Sequence, residues 1–184
     1  MITVRCEQTR PIAALQGAAS AVAQGLLVDF AAQLTARGLK VAGIVEIAAD
    51  CGAGGCGGLL ARDLATGATI PISQDLGPGS TACNLDPRGL AEACAAVERA
   101  IAAGADVVVL SKFGKLEAAR GGLIDAFRAA FAAEAPIATA VSPALAQDWL
   151  AFAGDCSEFV NVGTGSLEDW WSRLRRAILP VAAE

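Results

Sequence analysis

The chain of 184 residues contains no histidine and no tyrosine. Without histidine, Ser-His-Asp and Cys-His catalysis are excluded, as is any metal site that needs an imidazole ligand. Acid–base chemistry would therefore fall to carboxylates, lysines or thiols.

The sequence also lacks a run of basic residues and a long charge-free apolar segment. The net charge of -5 argues against general nucleic-acid binding. The longest candidate span, Pro11 to Val28, contains Gln16, Ser20 and Gln24, which make it too polar for a membrane helix and a poor signal peptide. We expect a cytoplasmic protein with no membrane insertion and no nucleic-acid partner.

The size and composition predict one domain over residues 1–184. A hydrophobic content of 54% is ample for a core in a chain of this length. The six cysteines include no CxxC pair, and their spacing predicts no particular metal site. Because no secretion signal is evident, reduced thiols are expected.

One stretch of the chain combines an apolar run with two lysines that follow it: ADVVVLSKFGKLE, residues 105–117. Val107 to Leu110 suits a buried central strand of a parallel sheet. Ligands bind beyond the carboxyl ends of such strands in open α/β sheets, which is where Lys112 and Lys115 would lie. The alternative is that both lysines only solvate a loop between strand and helix.

The rest of the chain predicts alternating strands and helices. A strand at Pro11 to Leu15, a helix at Val22 to Arg37 and a strand at Val41 to Ile47 form a βαβ unit. A hairpin is predicted within residues 59–73, and Asp86 with Pro87 begins a helix that extends to residue 102. The remaining predicted elements are strands at 136–141 and 158–162 and helices at 122–133, 144–152 and 166–179. The prediction is a three-layer α/β fold with a mainly parallel sheet and a side hairpin.

Two glycine-bearing loops supply further candidate residues. The first, DCGAGGCGG at residues 50–58, carries Cys51 and Cys56, and the second, SQDLGPGSTACNLDP at residues 73–87, carries Cys83. The candidate ligand-binding residues are Ser73, Gln74, Gly77, Gly79, Ser80, Lys112, Lys115 and Glu117.

Three segments resemble the domain-of-unknown-function family 2478 of bacteria: ISQDLGPGSTACNLDP, VVVLSKFGKLEA and AFAG. The resemblance covers about Pro11 to Gly154. The hairpin containing LATG and the order of elements are similar to THEP-type nucleoside-triphosphatases, which implies a three-layer P-loop-NTPase-like, Rossmann-like fold. The resemblance also implies an association with molybdenum transport. Ala82 and Asn84 depart from the Gly and Arg that the family more often shows.

The chemistry of nucleotide hydrolysis is missing from the matching positions. A Walker A loop needs G-x-x-x-x-G-K-[ST], whereas the corresponding turn, LQGAASAVAQGLL, has no lysine. Ser111 and Lys112 stand where a magnesium-binding aspartate is expected, and an ammonium group repels the cation. Glu117 resembles the glutamate that follows Walker B, yet it lacks metal partners. Ordinary magnesium-dependent NTP hydrolysis is therefore not expected.

Three functional hypotheses follow. In the first, Lys112 and Lys115 bind a small anionic ligand such as molybdate, phosphate or a nucleotide. In the second, Cys56 and Cys83, with Cys51 as a further candidate, bind a soft metal or a cluster through thiolates. In the third, the site is vestigial and the chain binds a protein partner or a second copy of itself, for which an exposed Trp170-Trp171 pair would be evidence.

Overall fold

The computed structural model describes residues 9–49, 58–74, 84–162 and 165–178. In these residues the strands and helices alternate as the apolar patterns predict. The strands are β1 (Ile12–Gln16), β2 (Val41–Ala48), β3 (Leu59–Asp63), β4 (Thr69–Pro71), β5 (Val107–Phe113), β6 (Ile137–Val141) and β7 (Ser157–Asn161). The helices are α1 (Ser20–Ala36), α2 (Pro87–Ala102), α3 (Lys115–Ala118), α4 (Ile124–Ala132), α5 (Ala146–Ala153) and α6 (Leu167–Ile178), with 3-10 turns at Pro143–Leu145 and Gly154–Cys156.

The seven strands form one mixed sheet in the order β4-β3-β2-β5-β6-β1-β7. The five strands from β2 to β7 in this order are parallel, and the β3-β4 hairpin extends the sheet antiparallel to β2. The hairpin therefore forms one edge of the main sheet, as the predicted side hairpin. The architecture is α/β and consistent with the predicted P-loop-NTPase-like fold.

Helices cover both faces of the parallel strands. One face packs against α1 and α6, where Phe30, Trp170 and Trp171 form an aromatic cluster. The other face packs against α2, α4 and α5, where Phe113 and Trp149 belong to a second cluster. Continuous apolar strands are expected for a sheet covered on both sides.

Local sequence signals account for several element boundaries. The Asp86 side chain accepts a hydrogen bond from the Arg88 amide at 3.0 Å, and Pro87 is the first residue of α2, which confirms the predicted helix start. In contrast, β5 is longer than predicted: it continues past Leu110 through a register irregularity to Phe113. Lys112 is consequently part of a strand and not of the following loop.

Trp170 and Trp171 are buried on α6, and the indole nitrogen of Trp170 donates to the Arg10 carbonyl oxygen at 3.1 Å. The exposed tryptophan pair that would have supported a protein-interaction surface is therefore absent. Within the part of the chain that the structure describes, no helix combines the length and apolar character needed to cross a membrane.

Candidate functional site

The candidate site is a cavity at the carboxyl edge of the sheet. The strands β5, β6 and β1 are adjacent and parallel, so the segments that follow them meet at one edge. These segments enclose a cavity of about 430 Å³. Its polar lining comes from the side chains of Gln16, Ser20, Gln24, Lys112, Lys115 and Ser142.

The turn from β1 into α1 forms one wall. Gly17 has a φ of 84°, a left-handed conformation that favours glycine, and Ser20 begins α1. Ala19 precedes the helix, and within the described residues no side chain caps its first turn. Because the first N–H groups of a helix have no intrahelical acceptor, this wall offers hydrogen-bond donors and the positive end of a helix dipole.

Gln16 supplies a second unused donor. Its side-chain nitrogen Nε2 is buried and has no hydrogen-bond partner among the residues that the structure describes. Leaving a buried donor unpaired costs about 1–3 kcal/mol. A ligand acceptor in the cavity that Gln16 lines would remove this cost.

Lys112 is engaged in an ion pair. Its Nζ lies 2.8 Å from Oε2 of Glu46, which is near the end of the neighbouring strand β2. The Glu46 side chain is 12% exposed and that of Lys112 is 39% exposed. Lys112 lines the cavity, but its charge is largely balanced by Glu46.

Gln24 holds the same corner of the site together. Its Nε2 donates to the Ser111 carbonyl oxygen at 2.7 Å, and its Oε1 accepts from the Glu46 amide at 2.9 Å. Because Gln24 is a buried residue of α1, these two bonds tie that helix to the ends of both β2 and β5. The backbone beside the Lys112–Glu46 pair is thereby fixed.

Lys115 differs from Lys112 in its surroundings. It is exposed, begins α3 and lines the cavity. No ion pair to Lys115 is found among the described residues. Among the described residues of the cavity wall, its ammonium group is therefore the positive charge that no carboxylate balances.

Glu117 performs a structural task in the turn after Lys115. Its Oε2 accepts from the Gly114 amide and its Oε1 from the Leu123 amide, both at 2.8 Å. The residue is 6% exposed and does not line the cavity. Gly122 has a φ of 59°, and a Cβ there would lie 2.2 Å from Glu117 Oε1. The carboxylate thus closes the turn between α3 and α4.

Ser73 and Gln74 bond to backbone groups of other segments and not to the lysines. Ser73 Oγ accepts from the Leu59 amide at 2.7 Å, and Gln74 Nε2 donates to the Leu85 carbonyl oxygen at 3.0 Å. Neither residue lines the cavity. The other predicted loop residues, Gly77, Gly79, Ser80, Cys51, Cys56 and Cys83, lie outside the described residues.

The described cysteines do not form a metal site. Burial raises the pKa of the Cys94 thiol, which lies on α2 in the core. Cys156 is disulfide-bonded, which corrects the expectation of reduced thiols for this residue. Among residues 9–49, 58–74, 84–162 and 165–178, no group of three or more cysteine and carboxylate side chains is arranged to hold a metal ion.

The sequence interpretation missed Glu46, Gln16 and Gln24 as parts of the site. Two of these carried a signal. Glu46 interrupts an apolar strand near its carboxyl end, and Gln24 occupies a position on the apolar face of α1, between Ala23 and Leu27. A polar residue that must be buried needs a partner, and here the partners are the neighbouring strand ends.

Comparison with known proteins gives the family. The model of the family described as "Protein of unknown function (DUF2478)" matches residues 12–170. The chain belongs to this family. Molybdenum import ATP-binding protein ModC 2 of Bradyrhizobium diazoefficiens is 41% identical over 155 residues, which are 82% of this chain and 17% of that relative. The DUF2478 chain therefore spans less than a fifth of that relative's length. No solved structure matches this chain.

Proposed function

We propose that the cavity binds an oxyanion or a phosphate-bearing ligand and does so without ordinary magnesium-dependent NTP hydrolysis. The observation that carries the proposal is the convergence of Lys115 and the uncapped amino end of α1 on one cavity. Helix N-termini bind phosphate and carboxylate groups through their free N–H groups and dipole. An exposed ammonium group adds a charge-assisted hydrogen bond.

The electrostatics favour an anion over a hydrated cation. No carboxylate belongs to the described lining of the cavity, and the nearby carboxylate of Glu46 is paired with Lys112. Magnesium sites use carboxylates together with substrate phosphates. Ser111 and Lys112 occupy the end of β5, so the strand that would supply a magnesium-binding aspartate supplies an ammonium group instead.

A role in molybdenum handling is part of the proposal. The matched relative is named as a molybdenum import ATP-binding protein, and molybdate is a tetrahedral oxyanion. An accessory role in which this chain binds molybdate or an organic anion is compatible with a cavity wall of donors. The support for this part is the name of that relative, of which the match covers 17%.

Isothermal titration calorimetry tests the proposal. Wild-type protein and Lys115→Ala are titrated with molybdate, phosphate and ATP, first in EDTA and then with magnesium, while nucleotide hydrolysis is followed separately. We expect at least one anion to bind in EDTA with a Kd on the order of 100 µM or tighter, and Lys115→Ala to weaken that affinity about tenfold. No heat with any anion, or ATP turnover at ordinary NTPase rates, would contradict the proposal.

A further inference from the structure

We infer that the ligand is an organic anion with an apolar body and a single negative charge, and that Glu46 sets this charge preference by neutralising Lys112. The inference deepens the proposed anion site and rests on it. The size of the cavity and the net charge that the Lys112–Glu46 pair leaves in its wall support it.

The size and lining of the cavity call for more than an inorganic ion. Its volume of about 430 Å³ lies in the range of roughly 300–1,000 Å³ that is usual for sites of organic small molecules. A bare oxyanion, with one central atom and four oxygens, would leave most of this space unused. The apolar residues that line it include Leu15, Ala23, Phe113, Val141, Pro143 and Leu145. A ligand whose anionic group contacts Lys115 and the donors of α1 can cover these apolar side chains if it also has an apolar body.

The charge of the site is smaller than the two lysines suggest. Lys112 and Lys115 contribute two positive charges to the wall, and Glu46 lies 2.8 Å from Lys112. The pair is close to neutral for a ligand in the cavity, so the described lining keeps one net positive charge. A ligand with one negative charge matches it. A second negative charge would find no unpaired ammonium group in the described lining.

The fold holds Glu46 in place beside Lys112. Its side chain is mostly buried, and its amide is fixed by Gln24 from α1. Lys112 comes from the adjacent parallel strand, in which Leu110 pairs with Ile44 of β2. Glu46 is therefore a positioning residue: it acts on the ligand through the direction and charge of Lys112.

Calorimetric titrations with three anions at pH 8 and constant ionic strength distinguish the effect of ligand charge on affinity from the effect of an apolar ring. Benzenesulfonate is a monoanion, phenyl phosphate is a dianion on the same ring, and inorganic phosphate has the charge without the ring. Each is titrated into wild-type protein, Glu46→Gln and the control Glu158→Gln. The control removes an equal charge from a carboxylate that pairs with Arg173 and does not line the cavity.

In wild type we expect phenyl phosphate to bind about tenfold or more tightly than phosphate, because the ring covers apolar surface. Benzenesulfonate should bind at least as tightly as phenyl phosphate. Coulomb energy scales with ligand charge, so Glu46→Gln should change the binding free energy of the dianion twice as much as that of the monoanion. We expect the affinity for benzenesulfonate to rise about threefold and that for phenyl phosphate about ninefold. Glu158→Gln should change neither affinity by more than about twofold.

Two results would overturn the inference while the anion site stands: phosphate binding as tightly as phenyl phosphate in wild type, or Glu46→Gln changing both organic anions equally. The wild-type order of affinities tests it even if Glu46→Gln does not fold. Absence of binding by all three probes would instead contradict the anion site itself, and with it this inference.

Discussion

Lys112 and Lys115 lie three residues apart in one stretch, yet the fold gives them opposite surroundings. Lys112 is in β5 and pairs with Glu46 on the neighbouring strand, beside the anchor that Gln24 provides. Lys115 begins α3 and is exposed on the wall of the same cavity. The comparison shows that the end of a parallel strand does not by itself make a charge available. The residue on the adjacent strand decides whether that charge is free.

The largest effect is expected for Glu117→Ala, which removes the support of the turn behind Lys115. The two carboxylate oxygens accept one buried and one partly buried backbone N–H group, and a hydrogen bond to a charged group contributes about 1.5–3 kcal/mol. The variant should lose about 4 kcal/mol of unfolding free energy, measured by urea denaturation. Glu117→Gln keeps one acceptor oxygen and should lose about half as much. A loss below about 1 kcal/mol in Glu117→Ala would show that the turn does not depend on the carboxylate.

A smaller loss is expected for Gln24→Ala, which removes the anchor beside Lys112. The Ser111 carbonyl would lose a buried partner, and the Glu46 amide would lose a partly buried one. The unfolding free energy should fall by about 2 kcal/mol. Gln33→Ala is a matched control, because Gln33 lies on the same helix with an exposed side chain, and it should change stability by less than about 0.5 kcal/mol. Equal losses of unfolding free energy in the two variants would show that the Gln24 hydrogen bonds do not stabilise the protein.

The smallest effect is expected for the thiols. A double variant, Cys56→Ser with Cys83→Ser, should bind phenyl phosphate within about twofold of wild type, because the described lining of the cavity contains no thiol. Elemental analysis of anaerobically purified protein gives the complementary test. Stoichiometric iron, zinc or molybdenum that is lost in the double variant would favour the cysteine-ligated alternative over the anion cavity.

The fold was largely predictable because its determinants are local. Apolar runs of strand length, the helical spacing of Leu27, Phe30 and Leu34 and the Asp86-Pro87 helix start each depend on neighbours in sequence. Val22, which also fits the spacing, is exposed. The end of β5 was less predictable, since the irregularity after Leu110 that carries the strand to Phe113 depends on pairing with β6. Lys112 was consequently assigned to a loop.

The candidate site was predictable in position but not in contacts. The edge of the sheet and the two lysines follow from strand order and sequence pattern. The Lys112–Glu46 pair depends on the register between β2 and β5, and the Glu117 contacts depend on the path from Gly114 to Leu123. Such contacts are set by tertiary packing between segments distant in sequence or by an irregular turn. Composition and periodicity carry no information on either.

The most direct test of the account compares two ways of altering the lysines, with phenyl phosphate affinity as the readout. Lys115→Ala removes the uncompensated charge, whereas the double variant Lys112→Met with Glu46→Gln removes the ion pair and leaves the net charge unchanged. We predict that calorimetry shows a loss of about tenfold for Lys115→Ala and a change within about twofold for the double variant. Equal losses in both, or unchanged affinity in Lys115→Ala, would contradict the assignment of Lys115 as the free charge of an anion-binding cavity.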